Sequence, residues 1–571
     1  MSEKKILTNK IILAGLILFS LPIFVSADSL GDKIDFFVDS NYDFFEREEI
    51  SATLQVTGSN FYFYVDENWF RPLGYQEKQR IKKDLSDLGS EFSSKIYPLL
   101  TSTFGSEWKP GIDGDKKTTV LFHPMNKDAG GYFNNGDEYL KLQNPRSNER
   151  EMIYLNANYI TSPLAKSFLA HEFTHLITFN QKDKTYGVSE ETWLNEARAE
   201  YAPTLIGHDA DYGNSNLERR VEDFLYRTYD SLTEWLNNKE DYGVANLFIQ
   251  YLVDHYGTEV LVDSLQSNKI GIASLNYALE KNGFEKDFSQ IFTDWTIAVL
   301  INDCQVSENY CYLNENLKTL RITPFINYLP LIGESTLSVT NKTKDWSGNW
   351  HKFIGGKDAL KIEFIGDPEA EFEVPYLIED LEGNISISFL QLSKKQKGTA
   401  YVPGFGSKNK SITIIPSSQT KIGGFDDRQE SYEFSFVVST VERTPEQEQE
   451  LIEKLLSQIE FLKTEIAKVQ AQIDAILGRK TISCRKFENN LYYGMMGNPE
   501  VSRLQEFLNS QGPEIYPERL VTGYFGPLTK TAVIRFQEKY AEEILKPLGL
   551  EKGTGFFGSA TRTKINQLLG Y

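Results

Sequence analysis

His171-Glu172-Phe173-Thr174-His175 and Trp193-Leu194-Asn195-Glu196-Ala197-Arg198-Ala199-Glu200-Tyr201 are the two stretches on which the reading of this chain turns. On a helix, residues four apart share a face, so both imidazoles of the first stretch reach one point. The same spacing recurs at Glu196 and Glu200 in the second. A catalytic zinc ion takes three protein ligands and keeps a fourth position open. His171, His175 and Glu196 are the expected metal ligands, with Zn2+ as cofactor. Glu172 sits beside the ligands without being one, the place for a carboxylate that takes a proton from the attacking water. Asn195 and Glu200 are expected behind the ligands, where a hydrogen bond to a ligand histidine fixes its tautomer. A five-residue H-E-x-x-H pattern alone arises by accident in a long chain. Here Leu164, Phe168 and Leu169 extend it as an apolar helical stripe, and the chain holds only six histidines, two of them in this motif.

At these residues the chain resembles the gluzincin metallopeptidases, the clan of thermolysin and the zinc aminopeptidases, and within it the hyicolysin-like branch. The resemblance implies an α+β, thermolysin-like, two-lobed metalloprotease with His171, His175 and Glu196 on zinc and Glu172 as general base. Where the family often has Asp as the supporting acid this chain has Glu200, and the 20-residue spacer between His175 and Glu196 is slightly long. Hydrolysis builds negative charge on the carbonyl oxygen, so a donor is needed there. The run Tyr242-Gly243-Val244-Ala245-Asn246-Leu247-Phe248 resembles the aminopeptidase segment whose tyrosine donates to that oxygen, which nominates Tyr242, with Tyr251, His208 and His255 as alternates. No Gly-x-Met-Glu-Asn amine-binding run precedes Glu172. The region instead reads Gly130-Gly131-Tyr132-Phe133-Asn134-Asn135-Gly136-Asp137-Glu138-Tyr139, an edge strand and loop suited to an extended substrate, so an endopeptidase is expected.

The ends and composition set the context. Residues 1–27 read as a signal peptide, with Lys4, Lys5 and Lys10 before an apolar run and Val25-Ser26-Ala27 as the cleavage site. The alternative is an uncleaved anchor. No later stretch is apolar enough to span a bilayer, so a secreted or cell-wall-associated protein is expected. Cys304 and Cys311 are a disulfide candidate suited to export, leaving Cys484 over. The formal charge of −20 becomes −22 once three Lys and one Glu leave with residues 1–27, which argues against nucleic acid as a partner.

The chain divides by texture. Residues 28–320 form the metallopeptidase part, a mixed α/β lobe over 28–160 and a helical lobe over 161–320, with the site between them. Over 321–443 short alternating runs (Ala359 to Phe364, Ile385 to Leu390, Ser411 to Ile415, Tyr432 to Ser439) predict a β-sandwich. Over 444–478, Thr444-Pro445-Glu446-Gln447 caps a helix, and Gly478 ends it. Ile452, Ile459, Ile466 and Ile473 occupy a, and Leu455, Leu462, Val469 and Ile476 occupy d, a pattern for a parallel coiled-coil homodimer. The alternative is a helix folded back on its own chain. Residues 479–571 predict a small α-helical domain. Gly523-Tyr524-Phe525-Gly526-Pro527-Leu528-Thr529 is echoed by Gly555-Phe556-Phe557-Gly558-Ser559-Ala560-Thr561. With Leu504-Gln505-Phe507-Leu508 and Ala532-Val533-Phe536-Gln537, this unit resembles the peptidoglycan-binding domain of cell-wall hydrolases, and so implies peptidoglycan as partner.

The function these features predict is a zinc-dependent endopeptidase acting on protein or peptide substrates at a bacterial envelope. Two other classes are compatible: a wall-associated binding or scaffolding protein with an inactive protease lobe, and an endopeptidase of peptidoglycan cross-links.

Overall fold

Strict alternation in Phe61-Tyr62-Phe63-Tyr64-Val65 sets the middle of the N-terminal sheet. The computed structural model describes residues 27–126, 129–331, 334–425, 428–441, 486–571 and most positions between 449 and 469. The signal residues 1–26, Thr444-Pro445-Glu446-Gln447, Leu455, Ile473, Ile476, Gly478 and Cys484 lie outside the described residues. Strands β1 (Lys33–Phe37), β2 (Glu49–Thr57), β3 (Phe61–Asp66), β4 (Thr118–His123), β5 (Gly131–Phe133) and β6 (Met152–Asn156) form one sheet in the order β1-β2-β3-β4-β6-β5. The central β3, β4 and β6 run parallel, while β5 pairs antiparallel with β6 at the edge.

Because side chains alternate across a strand, Phe61, Phe63 and Val65 face one side and Tyr62 and Tyr64 the other. The first set joins Ile81, Leu85, Phe92 and Phe173 in the largest core, and the second joins Phe36, Leu54, Leu121 and Tyr154 in a smaller one. The helix predicted over Gln76 to Thr103 runs as α1 (Tyr75–Glu91), a π-helical turn (Phe92–Ile96) and α2 (Tyr97–Phe104). Phe92, at the start of that turn, meets Phe61 and Phe173 edge-on.

The helical part comprises α3 (Ala165–Thr178), α4 (Thr192–Leu205), α5 (Asn216–Tyr226), α6 (Lys239–Tyr256), α7 (Thr258–Leu265), α8 (Gly271–Lys281) and α9 (Phe288–Ile301). Helices α5 and α6 approach closely at Gly243, where a Cβ would stand 2.5 Å from the backbone nitrogen of Phe224. After α9, Cys304 and Cys311 are joined as a disulfide.

Strands β7 (Phe325–Leu329), β8 (Thr336–Thr343), β9 (His351–Gly355), β10 (Asp358–Gly366), β12 (Pro375–Asp380), β13 (Ile385–Phe389), β14 (Lys397–Phe405), β15 (Asn409–Ile414) and β17 (Tyr432–Val441) follow, with β11 (Phe372–Glu373) and β16 (Ser417–Ser418) as a separate short pair. Two layers result, β13-β12-β15-β9-β7 and β14-β10-β17-β8, linked by one bridge between Phe405 and Asn409. Between them lie Phe353, Leu360, Ile362, Phe364, Ile412, Phe434 and Phe436.

This module is no loosely attached spacer. Trp346, Trp350, Leu377 and Ile415 belong to the same core as the helices, with Trp346 against Phe288 and Phe292. The Trp350 indole donates to the Thr296 carbonyl at 2.8 Å. The α/β lobe, the helical lobe and one margin of the sandwich thus share one apolar core.

Residues Ile452–Tyr571 form a second compact unit. The described positions between 452 and 469 are helical wherever assigned, and Ile452, Ile459, Leu462, Ile466 and Val469 are all exposed. The terminal domain is built on α10 (Pro499–Ser510), α11 (Pro527–Lys539) and α12 (Ser559–Leu568). Its sequence echo has a structural cause in two buried glutamines. The Gln505 amide donates to the Tyr524 carbonyl and the Thr529 hydroxyl, and its oxygen accepts from the Thr522 and Gly523 backbone. Gln537 repeats this with the Phe556 carbonyl, the Thr561 hydroxyl, and the Thr554 and Gly555 amides. Each glutamine therefore satisfies a whole glycine turn. Gln537→Leu strands several buried groups at about 1–3 kcal/mol each before water relieves some. We expect faster hydrogen exchange across residues 527–568 of the full chain and unchanged protection in the Met1–Leu451 unit; unaltered exchange in 527–568 would count against this role.

Candidate metal centre

The first element of the site is α3. Its sequence contains neither Gly nor Pro, and its residues from Ser167 to Thr178 are all buried, so its register is fixed on every side. The second is α4, whose start is held by Glu191. One carboxylate oxygen of Glu191 accepts the Trp193 indole at 2.8 Å, and the other accepts the Gly424 amide from the sandwich at 2.7 Å. The sandwich thus helps anchor the helix that carries Glu196.

The Nε2 atoms of His171 and His175 lie 3.1 Å apart, and Glu196 Oε2 lies 3.2 and 3.5 Å from them. Behind them, His171 Nδ1 faces Glu200 at 3.2 Å and His175 Nδ1 faces the Asn195 side-chain oxygen at 3.2 Å. Acceptors at both Nδ1 positions hold a proton there, so each Nε2 is left as a lone pair once its ring is neutral. Three electron-rich atoms then converge, with Glu196 Oε2 buried and without a hydrogen bond. One donor atom from each of His171, His175 and Glu196 falls within a 4.8 Å group. Two imidazole nitrogens and one carboxylate oxygen around a common point suit a divalent cation of the zinc type.

The supporting layer is charged. Glu200 is buried and accepts Arg220 at 2.8 and 2.6 Å and Asn216 at 2.9 Å. Burial works against its charge, but the Arg220 guanidinium and His171 outweigh that and hold its carboxyl well below the usual range. Burial likewise opposes ionisation of Glu196, yet His175 and His171 hold it at about 2. Glu172 is pushed up to about 7, mainly by burial, with His171 and His175 pulling the other way. A carboxylate poised there can both take and return a proton near neutral pH. Burial disfavours the His171 cation, but Glu196 and Glu200 raise it to about 10 without a metal.

A cavity of about 140 Å³ opens over these groups, lined among others by Tyr42, Gly131, Glu172, Glu196 and Tyr242. Tyr242 comes from the first turns of α6, its ring centroid 6.4 Å from that of His171, and its hydroxyl donates to Asn237 at 2.9 Å. Burial, then the Glu196 charge, raises its pKa well above the ordinary value, so it remains a donor. The alternates stand elsewhere. Tyr251 donates to the Asn309 carbonyl, His208 pairs with Glu91, and His255 bonds the Cys311 carbonyl. None of the three lines the cavity, because each already has a partner on another face of its element.

Three site residues escape sequence reasoning. Tyr42 lies in a loop far upstream of the motif, stacked on Tyr132 at 4.6 Å. Asn237 adopts a left-handed φ of 59° before α6. Arg220 carried no local signal beyond its place on an amphipathic helix. Gly131 was legible only as part of a strand. A Cβ there would stand 2.5 Å from the Tyr154 carbonyl and 2.8 Å from Glu172 Cγ, so only glycine lets β5 run alongside the base.

A family model, the putative peptidoglycan binding domain, matches residues 497–541. That match supports peptidoglycan as a partner and an association with the cell wall. No curated protein matches the chain. Among solved structures, the chain is similar to Aeromonas hydrophila PliG, a periplasmic lysozyme inhibitor of g-type lysozyme, at 9% identity over 20% of this chain and 98% of that one, TM-score 0.14. The pre-peptidase C-terminal domain of a collagenase from Bacillus anthracis is similar at 12% identity over 20% and 96%, TM-score 0.13. A family GH115 4-O-methyl-α-glucuronidase is similar at 7% identity over 57% and 51%, TM-score 0.12. Likenesses with such TM-scores carry no argument. Among the described residues no helix is long and apolar enough to cross a membrane.

Proposed function

We propose that this chain is an exported, zinc-dependent endopeptidase of the gluzincin type that works at the bacterial cell wall. The observation that carries the reading is the convergence of His171, His175 and Glu196, with Glu196 Oε2 buried beside both imidazoles and without a hydrogen-bond partner. When bound, zinc supplies Lewis acidity, polarising a carbonyl and making water a nucleophile at neutral pH. Glu172 takes the proton of the attacking water and passes it to the leaving amine nitrogen. Tyr242 and Tyr42 present hydroxyls to the carbonyl oxygen as charge builds on it. Edge strand β5, Gly131–Phe133, offers its free side to an extended peptide. The heptad helix pairs two chains in parallel, with isoleucine at a and leucine, valine and isoleucine at d.

The test is incubation of the purified chain with casein and with cross-linked wall stem peptides, with and without a zinc chelator. Chelator-sensitive cleavage of either supports the reading and identifies the substrate; none by folded, zinc-loaded chain defeats it. Zinc affinity should also rise with pH. His171, held protonated up to about 10 without metal, must lose a proton to bind, whereas Glu196 at about 2 is already ionised. Below pH 10 each unit of rise in pH should therefore strengthen binding about tenfold per displaced proton. Calorimetry in buffers of different ionisation enthalpy counts that proton; a pH-independent affinity would remove it.

A further inference from the structure

Arg219 and Arg220 are neighbours on α5 with opposite fates. Arg220 is consumed by Glu200 and Asp223. Arg219 forms no ion pair with any carboxylate among the described residues. Its Nη2 donates to the neutral Asn216 side chain at 2.7 Å, and its guanidinium lies 5.0 Å over the Phe168 ring. Its Nε is buried without an acceptor. Burial and the adjacent Arg220 lower its pKa to about 10, so it is still a cation at neutral pH. A half-buried guanidinium without an ion-pair partner is unfavourable, and its planar fork matches a carboxylate.

Arg219 also lines a groove of about 810 Å³. That groove shares Tyr42, Gly131 and Tyr242 with the cavity over the metal-ligand set, so the two adjoin. Of its two carboxylates, Asp223 is held by Arg220 and Glu240 lies at the start of α6. Direction follows from β5. The groove meets the strand at its Ala129 and Gly131 end, while a second cavity meets it at Phe133, Asn134 and Asn135. A peptide laid antiparallel to β5 runs its C-terminal half into the Arg219 groove.

We infer that Arg219 is a specificity residue that binds a substrate carboxylate on the C-terminal side of the cleaved bond, making acidic peptides the preferred class. The carboxylate comes from an Asp or Glu side chain or from the peptide's own C-terminus. Its role as a substrate residue rests on the endopeptidase reading, but the carboxylate site itself is testable by binding alone.

The test uses the full zinc-loaded chain carrying Glu172→Gln, so that turnover does not disturb equilibrium, and three labelled peptides of one neutral sequence. The first is neutral with a C-terminal amide, the second has Glu for Gln in its C-terminal half with the amide kept, and the third is neutral with a free C-terminus. Fluorescence anisotropy should show one carboxylate peptide bound about tenfold more tightly than the neutral amide, and which one it is identifies the source. That preference should vanish in Arg219→Gln and persist in part in Arg219→Lys. Unchanged affinity of Arg219→Gln for the neutral amide shows that the groove is still folded. Equal affinity for all three peptides, binding of none, or a preference that survives Arg219→Gln overturns the assignment. If the preference is intact while wild-type chain cleaves no peptide, the carboxylate site stands and the peptidase reading alone falls.

Discussion

Glu172→Gln is expected to keep zinc and fold while hydrolysis drops by about 10²–10⁴-fold, the range for loss of a positioned acid–base group. The side chain is buried, and its neighbours are the two histidines it must not displace. Glutamine has the same shape, so the close passage of Gly131 past Cγ is undisturbed. Glutamine cannot accept the proton of the attacking water or return one to the leaving nitrogen. Metal content and circular dichroism would be measured beside turnover. Hydrolysis within tenfold of wild type would remove Glu172 from the chemistry, whereas loss of metal as well would give it a structural part.

The second large effect is expected at Glu200. Glu200→Ala leaves the buried Arg220 with Asp223 as its remaining carboxylate partner and frees His171 Nδ1. Breaking a buried pair from one side costs about 3–5 kcal/mol, and losing the partner of a ligand histidine weakens metal binding about 10–100-fold. These two effects are separable. In the double variant Glu200→Met/Arg220→Leu no buried guanidinium is stranded and only Asp223, at the groove, loses its partner, so most of the urea midpoint should recover while zinc affinity stays weak. If zinc affinity recovered together with stability, Glu200 would act on fold alone and the hydrogen bond to His171 would be incidental.

Glu196→Ala belongs to the same logic, since it removes a ligand oxygen rather than its support. It should lose metal along with activity, and intact zinc stoichiometry would place the third ligand elsewhere.

How much of this was legible in the residues differs by range of interaction. The pairs His171/His175 and Glu196/Glu200 were readable because each is a helical spacing of four, a property that a few adjacent residues carry. The strands over Ala359 to Phe364 and Tyr432 to Ser439 were readable for the same reason, as two-residue alternation survives any context that buries one face. The glycine-turn echo was visible as sequence, but the glutamine that satisfies each turn stands 17 or 18 residues ahead of the amides it accepts. Gln505 and Gln537 therefore entered the sequence reading only as parts of the resemblance, without their role in the turns. Tyr251, His208 and His255 passed as alternates because composition cannot tell a hydroxyl or imidazole facing a cavity from one facing another carbonyl.

By itself the sequence determined the helical spacing of His171, His175, Glu196 and Glu200, the strand alternations and the repeated turns of the terminal domain. Only the tertiary structure decided that Tyr42 joins the cavity, that Arg220 neutralises Glu200, that Gly131 clears the base, and that the sandwich grips α4 through Glu191 and Gly424. The physical reason is separation along the chain. Periodicity and capping are energies of neighbouring residues and are written locally, whereas a salt bridge or a missing Cβ matters only once folding has brought distant segments to within a few ångströms.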